Sequence, residues 1–218
     1  GMSAAAVITP MLVTFLDIPA YQAVGIALAS DVLASAVSSY TYGKNKNLDM
    51  KNGLIMMLTV LLFTTVGSYL ASLLPSKTMG GFATVMTVFI GVRFLVKPVM
   101  TTKETMAIED PKKKLVKSIV SGVMIGFICG FIGAGGGMMM LVVFTAFLGM
   151  DLKKAVGTST FIMTFTALIA SAAHIMIEPA IITERWDVLI ICIVTATVAS
   201  VVSAGFANKV NNRTVGLV

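Results

Sequence analysis

Residues 155–177 read AVGTSTFIMTFTALIASAAHIMI, a run without a charged side chain, and they open on Ala155-Val156-Gly157. That triplet repeats Ala23-Val24-Gly25 at a distance of 132 positions. The same offset relates Phe15-Leu16 to Phe147-Leu148, Gly1 to Gly133 and Ser39 to Ser171. Leu54 to Ser76 is likewise uncharged, and each run is long enough to cross ~30 Å of hydrocarbon as a helix. A doubled apolar unit with short, glycine-interrupted segments is the pattern of membrane transporters built from internal repeats.

Composition points the same way. The 218 residues are 57% hydrophobic and 12% charged, with a mean hydropathy of +0.95. A soluble domain carries about 25% charge. The net charge of +6 comes from the loops between apolar runs, above all the stretch from Lys97 to Lys117, so it gives no reason to expect a nucleic-acid partner. Cys129 and Cys192 both lie in apolar spans and read as small buried residues, without the spacing of a disulfide framework or metal site. A single histidine excludes a histidine-based zinc or acid–base cluster. No Walker motif, nucleophile elbow or paired catalytic carboxylates occur. No cofactor and no enzymatic activity are expected.

Apolar runs between polar punctuation predict eight segments, at 4–16, 20–42, 52–74, 79–97, 115–132, 137–148, 155–177 and 187–207. Segments 4–16 and 137–148 are too short to span and match each other in the repeat, so they are expected to be broken or re-entrant helices. Pro10 falls inside the first and is expected to kink or break it. The chain divides into a first repeat at 1–97, a linker at 98–114 and a second repeat at 115–218. Gly1 to Ala5 aligns with Gly133 to Gly137, and the second copy is preceded by a helix, so the first repeat is expected to lack its first helix. Thr214-Val215-Gly216 resembles Thr78-Met79-Gly80, so the second is expected to lack its last.

Orientation follows from the basic residues. With the linker in the cytoplasm and each segment reversing the chain, the loops at 43–52, 97–117, 149–154 and 208–214 face inward and hold 13 of the 16 basic residues. The outward loops hold Lys77 and Arg185 beside Asp17, Glu178, Glu184 and Asp187. Restoring the absent helix gives five segments per unit, an odd number, so the two copies are inverted. A parallel four-plus-four arrangement is the alternative.

Four groups of residues suit chemistry. Gly133-Ala134-Gly135-Gly136-Gly137 is a poor helix interior. It exposes backbone N–H groups suited to an anion, or else lets another helix approach. Gly122, Gly126 and Gly130 are spaced by four and read as a packing face. Gly157-Thr158-Ser159-Thr160, matched by Gly25-Ile26-Ala27-Leu28 with Ser30 beyond, offers hydroxyls to an oxyanion or to another helix. Asp31 is an acid about 11 residues from either end of its segment. It can carry a proton, bind sodium, pair with Arg93 or serve as a hydrogen-bonded structural acid, and its offset mate is Met163. His174 reads as a wet interfacial histidine and Trp186 as an interfacial anchor.

At these residues the chain resembles the TauE/SafE family of sulfite exporters and related anion permeases. The resemblance rests on Gly133-Ala134-Gly135-Gly136-Gly137 followed by Ala155-Val156-Gly157-Thr158-Ser159. In the first half it rests on Thr9-Pro10-Met11-Leu12, Ala23-Val24-Gly25 and Ser30-Asp31. It covers both halves and the linker. It implies a multi-spanning permease of a bacterial or archaeal inner membrane for sulfite, sulfonates or similar small anions. The first glycine cluster is degraded here to Gly1-Met2-Ser3-Ala4-Ala5, so anion contacts are expected mainly from the second half.

The combined expectation is an all-α polytopic helical bundle with two inverted repeats. The substrate contacts are Gly133, Gly135, Gly136, Gly137, Gly157, Thr158, Ser159, Gly25 and Ser30, with Asp31 as the coupling acid. The expected partners are the lipid bilayer and a small inorganic or organic anion, with a homo-oligomer allowed. A non-transporting intramembrane scaffold or partner subunit is the alternative.

Overall fold

Polar punctuation places the helix ends close to where hydropathy predicts them. A computed structural model of the chain describes residues 3–75, 81, 85, 88, 92, 111–132 and 136–210. Its helices are α1 (Ala5–Phe15), α2 (Ala20–Lys44), α3 (Met50–Ser72), α4 (Pro111–Ile132) and α5 (Gly136–Val142). They continue with α6 (Leu152–Ile177), the single turn α7 (Ala180–Thr183) and α8 (Trp186–Lys209). A π-helical turn, Val143–Phe147, prolongs α5. No strand occurs among the described residues. The predicted span 79–97 with Arg93, and the linker up to residue 110, lie outside the described residues.

Among the described residues four helices are long and apolar enough to span a membrane, namely Ala20–Lys44, Gly53–Ser72, Leu152–Ile177 and Trp186–Lys209. α1, with 11 residues, is about 16 Å long and reaches half-way. It runs through Pro10 without the expected break. Proline lacks the N–H that would bond one turn back, so the helix loses one hydrogen bond there but continues past it.

Packing contacts fix the helix directions. Gly157 of α6 abuts Tyr42 and Asn47 at the end of α2, while His174 of α6 stacks on Tyr21 at its start, so α2 and α6 are antiparallel. Ser200 of α8 bonds Ala34 and Ser38 of α2, and Asn208 bonds Asn47, so α2 and α8 run parallel. Gly122, Gly126 and Gly130 of α4 rest against Thr59, Val60 and Thr64 of α3, so α3 and α4 also run parallel. The glycine face predicted for α4 is thus occupied by α3 at backbone distance.

These directions gather the basic loops at one end. Lys153 Nζ donates to the Asn208 carbonyl (3.1 Å), and Asn47 Nδ2 donates to Asn208 Oδ1 (3.1 Å). The lysine-rich start of α4 enters from this end. Ile18 and Ile181 share a buried cluster at the opposite end, which places the acid-bearing 178–187 turn there. Lipid-facing side chains follow the same geometry. α2 is largely buried, whereas α8 exposes Ile190, Ile191, Val194, Val198, Val201 and Phe206. Trp186 is exposed at the start of α8, where an interfacial aromatic belongs.

The turns after α1 and α5 match at the 132-residue offset. Asp17 and Gly149 both adopt positive φ, 49° and 62°. Ile18 N–H donates to the Leu12 carbonyl (3.2 Å) and Met150 N–H donates to the Phe144 carbonyl (2.7 Å). Glycine and aspartate are the residues that reach this left-handed turn most cheaply.

One contact at the basic end supports a stability prediction. Asp49 N–H, just before α3, donates to Thr158 Oγ1 on α6 (3.0 Å). Thr158→Val keeps the shape and removes the acceptor, which costs about 1 kcal/mol. Thermal unfolding in detergent is expected to fall by about 2–4 °C.

Candidate functional site

Asp31 lies 11 residues into α2, about 16 Å from its start and hence near the middle of a ~30 Å hydrocarbon layer. It is only 4% exposed. α1 begins at this depth, with its first N–H groups turned toward the acid. Ser3 Oγ–H donates to Asp31 Oδ2 (2.5 Å) and Ala4 N–H donates to Oδ1 (3.1 Å). Ser3 Oγ also accepts the Ala5 N–H (3.2 Å), so one serine both opens the helix and holds the carboxylate. Charge-assisted bonds of this kind are the strong ones, and the helix dipole adds to them.

Next to this acid lies a cavity of about 210 Å³. A water molecule occupies about 30 Å³ in the liquid, so the space suits a small solute with part of its hydration shell. Its polar lining comes from Ser3 and Asp31, from Ser35 and Ser38 of α2, from Thr160 of α6 and from Ser200 and Ser203 of α8. Met163 and Ala196 supply apolar surface. Both halves of the chain therefore build one cavity, and Asp31 and its offset mate Met163 share it. Ser200 donates to the Ala34 carbonyl, so Ser38 supplies the proton of the Ser38–Ser200 bond (2.7 Å). Ser35 donates back to the Asp31 carbonyl (2.5 Å) and Thr160 to the Gly157 carbonyl (2.9 Å). Their hydroxyl oxygens keep lone pairs for a solute.

The electrostatics are one-sided. Among the described residues no lysine, arginine or histidine lines the cavity. An anion ~5 Å from an ionised Asp31 would meet a repulsion of about 3 kcal/mol at an effective dielectric of about 20. An oxyanion fits here only when the carboxylate is neutralised or replaced.

Of the residues singled out in the sequence, Asp31 reaches the cavity and several others sit at helix contacts. Gly157 faces the backbone of Asn47. Thr158 caps the start of α3, and Ser159 donates to the Val156 carbonyl (2.9 Å). Ser30 donates to the Ile26 carbonyl (2.8 Å), and Gly25 lies under Ile181 and His174. Gly136 faces the Cys129 side chain of α4, and Gly137 is buried. Gly133 and Gly135 lie outside the described residues. Ser3, Thr160 and Ser200 were not singled out as cavity residues, and the offset carried a hint of Thr160 alone, as the last hydroxyl of Gly157-Thr158-Ser159-Thr160.

His174 corrects an expectation. It is completely buried and not wet, stacked on Tyr21 with ring centroids 4.3 Å apart. Its Nδ1 pairs with the Ala170 carbonyl (2.9 Å). Ile181 of α7 packs over the same contact, and that short helix is the cover which hydropathy did not reveal. Cys129 and Cys192 are both free thiols.

The comparisons with known proteins agree with a membrane transporter. The family model described as Sulfite exporter TauE/SafE matches residues 1–218. The chain is 24% identical over 198 residues to the Probable membrane transporter protein YunE of Bacillus subtilis (strain 168), covering 81% of this chain and 72% of that protein. It is 20% identical over 163 residues to the Probable membrane transporter protein YdhB of the same organism, covering 75% of this chain and 66% of that protein. No solved structure matches the chain significantly.

Proposed function

This chain belongs to the TauE/SafE sulfite exporter family, and from that premise we propose a secondary permease for small oxyanions such as sulfite or organosulfonates. The protein is a multi-pass membrane transporter, and the substrate class is our reading. The observation that carries it is the hydroxyl-lined cavity beside the start of the half-length α1, near mid-membrane and walled by elements of both halves. Transporter sites form where discontinuous helices of two repeats meet.

Inverted repeats are part of this reading. α2 and its offset mate α6 run in opposite directions, and so do α3 and α8. α2 packs on α8, while α6 packs on α3. The matched turns at Asp17 and Gly149 add local support. The segregation of basic and acidic loops fits a cytoplasmic linker and an inner-membrane location. The reading is a carrier and not an enzyme, with the oxyanion taking the hydroxyl protons of Ser3, Thr160 and Ser200 once these turn from the acceptors they now hold.

Purified full-length protein in liposomes tests this. Equilibrium exchange of labelled sulfite or methanesulfonate is expected above the protein-free rate. A scaffold without transport would give no exchange for any small anion.

A further inference from the structure

We propose that Asp31 is a resident anion that a proton and the substrate displace together, which makes transport a proton–anion symport; this rests on the permease reading above. The carboxylate already holds the two donors, Ser3 O–H and Ala4 N–H, that an oxyanion entering the start of α1 would use. It is buried and lines the cavity that both halves build. An ionised Asp31 thus excludes the substrate twice, by occupying its donors and by repulsion.

Among the described residues that line the cavity with Asp31, none carries a charge that relieves it. α1 presents Ser3 and Ala4, α2 presents Ser35 and Ser38, α6 presents Thr160 and Met163, and α8 presents Ala196, Ser200 and Ser203. None of these is charged. From α4, the Cys129 thiol is in electrostatic reach of Asp31 and has no positive form. On this proposal, neutralisation comes from a cation that enters with the substrate. A proton from water adds to a carboxylate oxygen, and the neutral acid releases Ser3 and Ala4 to the oxyanion. The loaded cavity then carries one negative charge, on the substrate. The empty cavity also carries one, on Asp31. Both reorienting forms keep the donors satisfied, while a form with anion but no proton is disfavoured. Since the offset mate of Asp31 is Met163, one proton accompanies each anion.

Methanesulfonate is the probe, because its own acid is too strong to carry the proton. Liposomes holding full-length protein, with the membrane potential clamped at zero, are given an inside-alkaline gradient of one pH unit. Wild type is expected to accumulate methanesulfonate about tenfold, the equilibrium limit for one proton per monoanion. Asp31→Asn is expected to lose accumulation whatever exchange rate it keeps. Should that variant fail to fold, proton uptake by wild type in detergent at alkaline pH decides, with about one proton expected per anion bound. Accumulation by Asp31→Asn, accumulation driven by a sodium gradient instead, or anion binding without proton uptake would each overturn the coupling while leaving the permease reading intact. Absence of any exchange by wild type overturns both.

Discussion

Gly130→Leu is expected to leave little folded protein in detergent extracts. An added Cβ at this position would overlap the backbone carbonyl of Thr64, with the Ser68 nitrogen next to it at 2.9 Å. Both obstacles are backbone, so no rotamer change relieves the clash, and α3 and α4 must separate. The neighbouring contacts would go with it, since Gly67 and Gly126 seat the same helices against each other. Separation also breaks the bond from Ser68 Oγ–H to the Gly130 carbonyl (3.3 Å). Overpacking costs about 1–3 kcal/mol where side chains can yield and more where only backbone could, a large share of a typical stability of about 5–15 kcal/mol. The measurement is a detergent melt with the elution profile on size exclusion. Gly205→Ala is the control, because an added Cβ there meets nothing within 4 Å. It is expected to stay within about 0.5 kcal/mol of wild type. Equal melting of the two variants would refute the close α3–α4 packing.

Ala196→Phe is expected to abolish most transport without unfolding the protein. Ala196 lines the cavity from α8, so an aromatic ring there projects into space that the solute would use. Without solute, the cavity absorbs the ring and the overpacking cost is small. With solute, ring and anion compete, and the forced repacking costs about 1–3 kcal/mol. That corresponds to roughly a tenfold to hundredfold fall in flux. Liposome exchange measures the flux, and an unchanged melting curve separates blockage from misfolding. Wild-type flux in a folded Ala196→Phe protein would move the substrate path away from this cavity.

Much of the fold was legible because the bilayer imposes a simple code. Helix ends fell where apolar runs meet lysine, proline or aspartate, as at Asp17-Ile18-Pro19 and Lys44. The half-length α1 and α5 were legible because the offset paired them. Pro10 misled, since a single proline removes one hydrogen bond without obliging a helix to stop. The site was harder to read. Asp31 stood out because a carboxylate in an apolar run is costly and conspicuous. Its partners did not, because serine and threonine in helices habitually bond back to their own carbonyls, as Ser30, Ser35 and Thr166 do here. Only tertiary packing selects which of them meet a cavity. Gly157 and Thr158 illustrate the converse. A glycine chosen for close approach looks the same in sequence whether the visitor is an anion or the peptide of Asn47. His174 was misplaced because its cover, α7, comes from a four-residue turn too short to register in hydropathy.

The antiparallel pair α2 and α6 is pinned at both extremities, by Gly157 under Asn47 at one and by His174 against Tyr21 at the other. A crossing held at its two ends has no free arm, so on the permease proposal these helices would serve as the fulcrum. The lever is then the half-length α1, anchored at its inner tip through Ser3 and Ala4 to one carboxylate. On the proposed coupling, releasing that latch is the step that would let the interior change the side it faces.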